Sequence, residues 1–161
     1  MNRLITALLS YQGRYCGTGI NHDNQEFIGE FHLKPAIKGK GVELEFVAKG
    51  KDGTIYHEEK TFIAPNELET ISLWTLNNNV PYLYEHKISE ARTSEGATDT
   101  FVFKHNDPNN SNQFRETISI DLWPNGDLSY RYAWGLPGGD FEDRSGLRMQ
   151  RLDTFGDKSS H

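Results

Sequence analysis

The segment QFRETISIDLWPNGDLSYRYAWG, residues 113–135, holds two runs of alternating side chains around one turn. In Gln113–Trp123, Phe114, Ile118, Ile120 and Leu122 fall on one face, and Glu116 falls with them. In Leu128–Gly135, Leu128, Tyr130, Tyr132 and Trp134 align, opposite Ser129 and Arg131. Side chains that change face at every residue are the mark of a strand with one buried side. Asn125-Gly126 between the runs signals a two-residue hairpin, which needs positive φ at both central residues.

The same grammar extends in both directions. Val42, Leu44, Phe46 and Ala48 share a face, with Glu43 and Glu45 on the other. Tyr82, Tyr84 and Ile88 align with His86, and Leu147 and Met149 align with Arg151. Strands are predicted over Arg14–Ile20, Glu26–Lys34, Val42–Lys49, Thr54–Ile63, Leu68–Leu76, Pro81–Ser89 and Asp99–His105. Gln113–Trp123, Leu128–Gly135 and Ser145–Leu152 complete the set. Thr54–Ile63 and Leu68–Leu76 carry apolar residues on both faces. Asp52-Gly53 repeats the hairpin signal, while Asn77-Asn78-Asn79 and Asn106–Asn112 read as turns or loops.

Only the N-terminus departs from this pattern. Leu4, Ile5, Leu8 and Leu9 recur at helical spacing, which predicts one short amphipathic helix. Short connections make consecutive strands antiparallel neighbours, and a meander of about ten strands avoids exposed edges by closing. The expected fold is all-β: a single antiparallel up-and-down barrel with a short N-terminal helix. Residues 1–12 hold the helix, 13–153 the barrel and 154–161 a flexible tail.

Composition removes several function classes. A formal charge of −6 with dispersed Lys and Arg offers no basic stripe for nucleic acid. No apolar run is long enough to span a membrane as a helix. Cys16 is the only cysteine, so neither an internal disulfide nor a thiolate zinc site can form. A cytoplasmic, reducing compartment fits. Secretion is the minority reading, since no small-x-small cleavage site follows the short apolar stretch of Met1–Gln12. Gly17-Thr18-Gly19 and Gly138-Gly139 lack the strand–loop–helix setting of a phosphate loop. The six histidines lack metal-ligand spacing, and the metal reading is none.

The informative residues are polar ones on apolar faces. Glu116, Arg151, His86 and the tyrosine hydroxyls project toward one interior, where an unpaired charge is costly. They satisfy one another, as a Glu116–Arg151 pair would, or they meet the polar end of a ligand. The candidate ligand-binding set is Tyr82, Tyr84, His86, Glu116, Tyr130, Tyr132, Trp134 and Arg151.

A short helix, then Gly13-Arg14-Tyr15-Cys16-Gly17-Thr18-Gly19, then successive antiparallel strands resembles the calycin superfamily. That group includes lipocalins, fatty-acid-binding proteins and bacterial lipocalin-like and nitrobindin-like barrels. Gly13 and Tyr15 stand where the family has Gly-x-Trp, with Tyr replacing Trp; Arg148 or Arg151 stands for the late basic residue. The resemblance implies a lumen for a small, partly apolar ligand. Nitrobindin-like barrels would add haem, held by a histidine near the last strand, but Ser145–Leu152 contains none. Fatty-acid-binding barrels would place Arg151, Tyr130 and Tyr132 on a carboxylate. A neutral or cationic ligand is equally open, because Glu116 opposes an anion.

Three readings of function follow. The first is a small-molecule binding protein, with no enzymatic role. The second is a small barrel enzyme using His86 and Glu116 as acid and base. The third is an interaction protein, a homodimer through an outer apolar face such as Ile71 and Leu73.

Overall fold

The computed structural model describes residues 2–152, and the tail expected over 154–161 lies outside them. Helix α1 (Arg3–Leu9) is followed by β1 (Gly13–Ile20), β2 (Glu26–Ala36), β3 (Gly41–Lys49), β4 (Ile55–Pro65) and β5 (Ile71–Asn77). Then come β6 (Val80–Ser89), β7 (Asp99–His105), β8 (Arg115–Leu122), β9 (Leu128–Gly135) and β10 (Glu142–Arg151). Every consecutive pair is antiparallel, and β1 pairs with β10 to close the barrel.

The register explains the alternation. Residues opposite one another in an antiparallel pair share a face. Leu44 sits between Leu33 and Thr61, and Ile120 between Phe101 and Tyr130. Leu44 and Ile120 are both fully buried. On β1, Gly17 lets β10 come close: a Cβ there would lie 2.6 Å from the Arg148 carbonyl oxygen.

The hairpin loops are not the two-residue turns expected at Asp52-Gly53 and Asn125-Gly126. Both loops have three residues inside one closing backbone pair. Trp123 N–H donates to Asp127 O and Gly126 N–H to Trp123 O, with only Gly126 at positive φ (93°). Gly50–Thr54 repeats this with Gly53 (88°), Asn21–Gln25 with Asn24 (60°) and Asn66–Thr70 with Glu69 (63°). A type I turn followed by one left-handed residue needs a single positive φ. Asn21 and Asn66 brace their loops by accepting backbone N–H bonds on Oδ1.

Helix α1 plugs one end of the barrel. The Asn2 side chain caps it by accepting from Leu4 N–H at 2.8 Å, and Leu4, Ile5 and Leu8 are buried. Beyond the helix, the Tyr11 hydroxyl donates to the Trp123 carbonyl at 2.6 Å. The core at this end is apolar, including Leu33, Val42, Ile63, Leu73, Phe103, Ile118, Leu122, Leu128 and Met149.

One expectation about faces is corrected. Ile71 and Leu73 are 3% and 0% exposed and belong to the interior. The outward residues of β5 are the alternate ones, and the outer apolar row is Phe62, Trp74 and Leu76.

Candidate functional site

Toward the end away from α1, the interior changes from apolar to polar. β4 turns His57, Glu59, Thr61 and Ile63 inward, because its register sets them against Ala48, Phe46, Leu44 and Val42. β5 turns Leu73, Thr75 and Asn77 inward beside them, and Leu73, Thr75 and Asn77 are all buried.

Glu59 is 4% exposed and surrounded by donors. On Oε1 it accepts from His57 Nε2 at 2.9 Å and from the Tyr132 hydroxyl. On Oε2 it accepts from Thr61 and from the Tyr130 hydroxyl at 2.9 Å, with Thr75 Oγ1 at 3.3 Å. Asn79 Nδ2 donates to His57 Nδ1 at 3.0 Å, which leaves Nε2 to carry the proton given to Glu59. Burial alone would raise the Glu59 pKa. The bonds donated by His57, Thr61 and Tyr132 outweigh it and hold the carboxyl below its ordinary range. Burial, then the Glu59 charge, pushes Tyr130 and Tyr132 well above the ordinary phenol range.

Glu116 forms the second polar group. The Tyr84 hydroxyl and His86 Nε2 both donate to its Oε1, at 2.6 Å and 2.8 Å. Oε2 has no partner among the described residues, although Glu116 is only 4% exposed. Behind it, His86 is fully buried and its Nδ1 has no partner among the described residues. Burial, then the Glu116 charge, pushes the Tyr84 phenol far above its ordinary range.

Next to this group the sheet is splayed. β6 and β7 pair only from Lys87 to Ser89 against Val102 to Lys104. Just past that pairing, His105 Nδ1 donates to the Glu85 carbonyl at 2.8 Å, a side chain replacing a missing ladder bond.

The two groups border a cavity of about 470 Å³ at the open end. Phe27, Phe46, Ala48, Phe114 and Trp134 form its apolar wall, and His57, Asn77, Glu116 and Tyr132 its polar floor. The loop of Asn21–Gln25 borders the mouth. A second hollow, about 580 Å³, lies at the other end between the start of α1, the β2–β3 turn and the end of β4. It is lined mainly by apolar and backbone groups and contains none of the buried carboxylates.

Tyr84, His86 and Glu116 therefore meet, as do Tyr130 and Tyr132, though the latter meet on Glu59. Trp134 lines the cavity, with the Arg144 guanidinium stacked 4.4 Å from its ring centre. Tyr82 follows the inward face of β6 to the rim, where it is 55% exposed and outside the cavity lining. Arg151 does not pair with Glu116. It pairs in register with Tyr15, lies 5.4 Å over that ring and donates to the Tyr15 hydroxyl at 2.9 Å. Glu116 lies at the start of β8 and Arg151 ends β10, so they occupy opposite ends of the barrel, separated by about 26 Å of strand. Arg148 stacks instead on Trp123, at 4.0 Å.

The sequence reading missed Glu59, His57, Thr61, Thr75 and Asn77. Their signal was available only through a neighbour. β4 carries apolar and polar residues on both faces, so its own parity does not choose the inward one. Pairing with β3, whose inward face is unambiguous, decides it.

The residues do not fit haem. Of the two histidines lining the cavity, His57 has both nitrogens engaged, and His22 stands at the mouth with Nε2 3.5 Å from Asp23. Among the described residues, no Lys or Arg lines the cavity to take a propionate.

No family model and no curated protein matches this sequence. Among solved structures, Rv2717c from M. tuberculosis is similar, with a TM-score of 0.67 at 13% identity. That match covers 95% of this chain and 99% of the other. A de novo designed fluorescence-activating β-barrel superposes at a TM-score of 0.46 and 11% identity, over 89% of this chain and 96% of that one. At 13% identity, the likeness to Rv2717c establishes a shared fold.

Proposed function

We propose that this barrel is a small-molecule binding protein, and that a partly apolar ligand occupies the cavity at its open end. The observation that carries this reading is the cavity itself. Its 470 Å³ lies within the range of about 300–1,000 Å³ usual for small-molecule sites. Aromatic walls beside a few fixed polar groups suit a ligand with a flat apolar body and one polar end. A catalytic reading has less support. His86 and Glu116 share a hydrogen bond, but only Glu116 borders the cavity, with His86 standing behind it.

The test is a cavity-filling variant. Ala48 is 4% exposed and points into the cavity from β3. An environment-sensitive apolar fluorophore is expected to bind the wild type saturably. Ala48→Phe should reduce that affinity by about tenfold or more, because the added ring takes the ligand's volume. Absence of saturable binding to the wild type, or equal binding to a folded Ala48→Phe protein, defeats the reading.

A further inference from the structure

We infer that the cavity selects an organic cation, a protonated amine or amidinium on a flat apolar body, with its N–H directed at Glu116 Oε2. This rests on the small-molecule reading above and narrows it to a class of ligand.

The argument turns on which polar groups are already engaged. Glu59 accepts on both oxygens, and His57 uses both ring nitrogens. These groups give a ligand little to bind. Glu116 differs: both its donors, Tyr84 and His86, converge on Oε1. Oε2 has no partner among the described residues, and Glu116, only 4% exposed, borders the cavity. Oε2 is not sealed in the core but opens onto the cavity, and a charged N–H donor is the strongest complement of a carboxylate oxygen there.

The surroundings reject the opposite charge. Among the described residues, the lining holds Asp23 and Glu116 and no Lys or Arg. The nearby Arg144 is spent on the carbonyls of Trp134 and Asp140 and on Glu142. Arg151 is at the far end, engaged with Tyr15. A carboxylate ligand would thus meet Glu116 uncompensated, and like charges at short range in a poorly solvated site repel strongly. Phe27 and Phe46 add aromatic surface to the lining that suits a cation on a flat body.

The experiment compares three ligands with one body: naphthylmethylammonium, naphthylmethanol and naphthoate. Binding to the full chain is measured by calorimetry at neutral pH. The ammonium should bind about tenfold or more tighter than the alcohol, and the naphthoate weakest, as expected for a charge-assisted bond to a buried carboxylate. In Glu116→Gln, the ammonium's advantage should collapse while the alcohol's affinity holds. Because that order is read first in the wild type, the test survives a poorly folded variant. Glu116→Asp, which keeps the charge but draws it back, should fall between the two. If naphthoate binds as tightly as the ammonium, or the preference persists in Glu116→Gln, the cation reading is overturned. The alcohol then decides the broader proposal, which stands if the alcohol binds and Ala48→Phe weakens it. If none of the three binds, the cation reading falls with it.

Discussion

A glutamate buried at 4% exposure survives in a protein interior only if its charge is answered, and Glu59 is answered by hydroxyls and one imidazole rather than by a lysine or arginine. Glu59→Gln keeps the shape but puts an amide where hydroxyls and His57 donate. We expect a loss of about 2–3 kcal/mol at neutral pH by denaturant unfolding, since buried donors lose their acceptor. The pH dependence has a definite sign. The folded carboxyl sits below its ordinary value of 4.5, so the unfolded chain takes up the proton first. Stability from this group is complete above about 4.5 and declines as pH falls through the lower folded value. Wild type should therefore lose stability across that acid window more steeply than Glu59→Gln. Parallel acid limbs for the two proteins would mean that Glu59 is not the anion described here. At this scale the sequence was partly legible. Glu116 and Tyr84 stood out as polar residues on an apolar face, whereas Glu59 was hidden between Glu58 and Lys60 in a polar run.

The elements are governed by their turns. Four hairpins use one left-handed residue after a type I turn, but only two place glycine there. Glu69, at φ 63°, carries a side chain in a conformation unfavourable by about 1–2 kcal/mol for L-residues. Glu69→Gly should stabilise the protein by about 0.5–1 kcal/mol, the relief being reduced by the added freedom of the unfolded chain. A measured loss of stability would show that Glu69 makes a contact that offsets its backbone. The loop after β9 is likewise held. Buried Arg115 donates to the carbonyls of Leu136 and Gly139 at 2.8 Å each and to Pro108 at 3.3 Å, tying two rim loops together.

Across the whole molecule, the two ends do different work. One is plugged by α1 over an apolar core, and the other is open, polar and flanked by the splayed β6–β7 seam. Strand pairing there spans three residue pairs, against seven in β7–β8 and eight in β8–β9. Amide exchange should accordingly be fastest, among the strands, in the half of β6 from Tyr82 to His86, which pairs with β5 but not with β7, and slowest in β8 and β9. Uniform protection around the barrel would remove the seam as a weak point.

Alternation and turn residues, both local, were enough to state ten antiparallel strands, one short helix and a closed meander, because strand parity repeats every two residues and hairpin loops join neighbours. Height along the barrel is not local. It accumulates from register and strand tilt around the whole circuit. Only the folded barrel could therefore set Tyr130 on Glu59, 71 residues away, and send Arg151 to the end opposite Glu116.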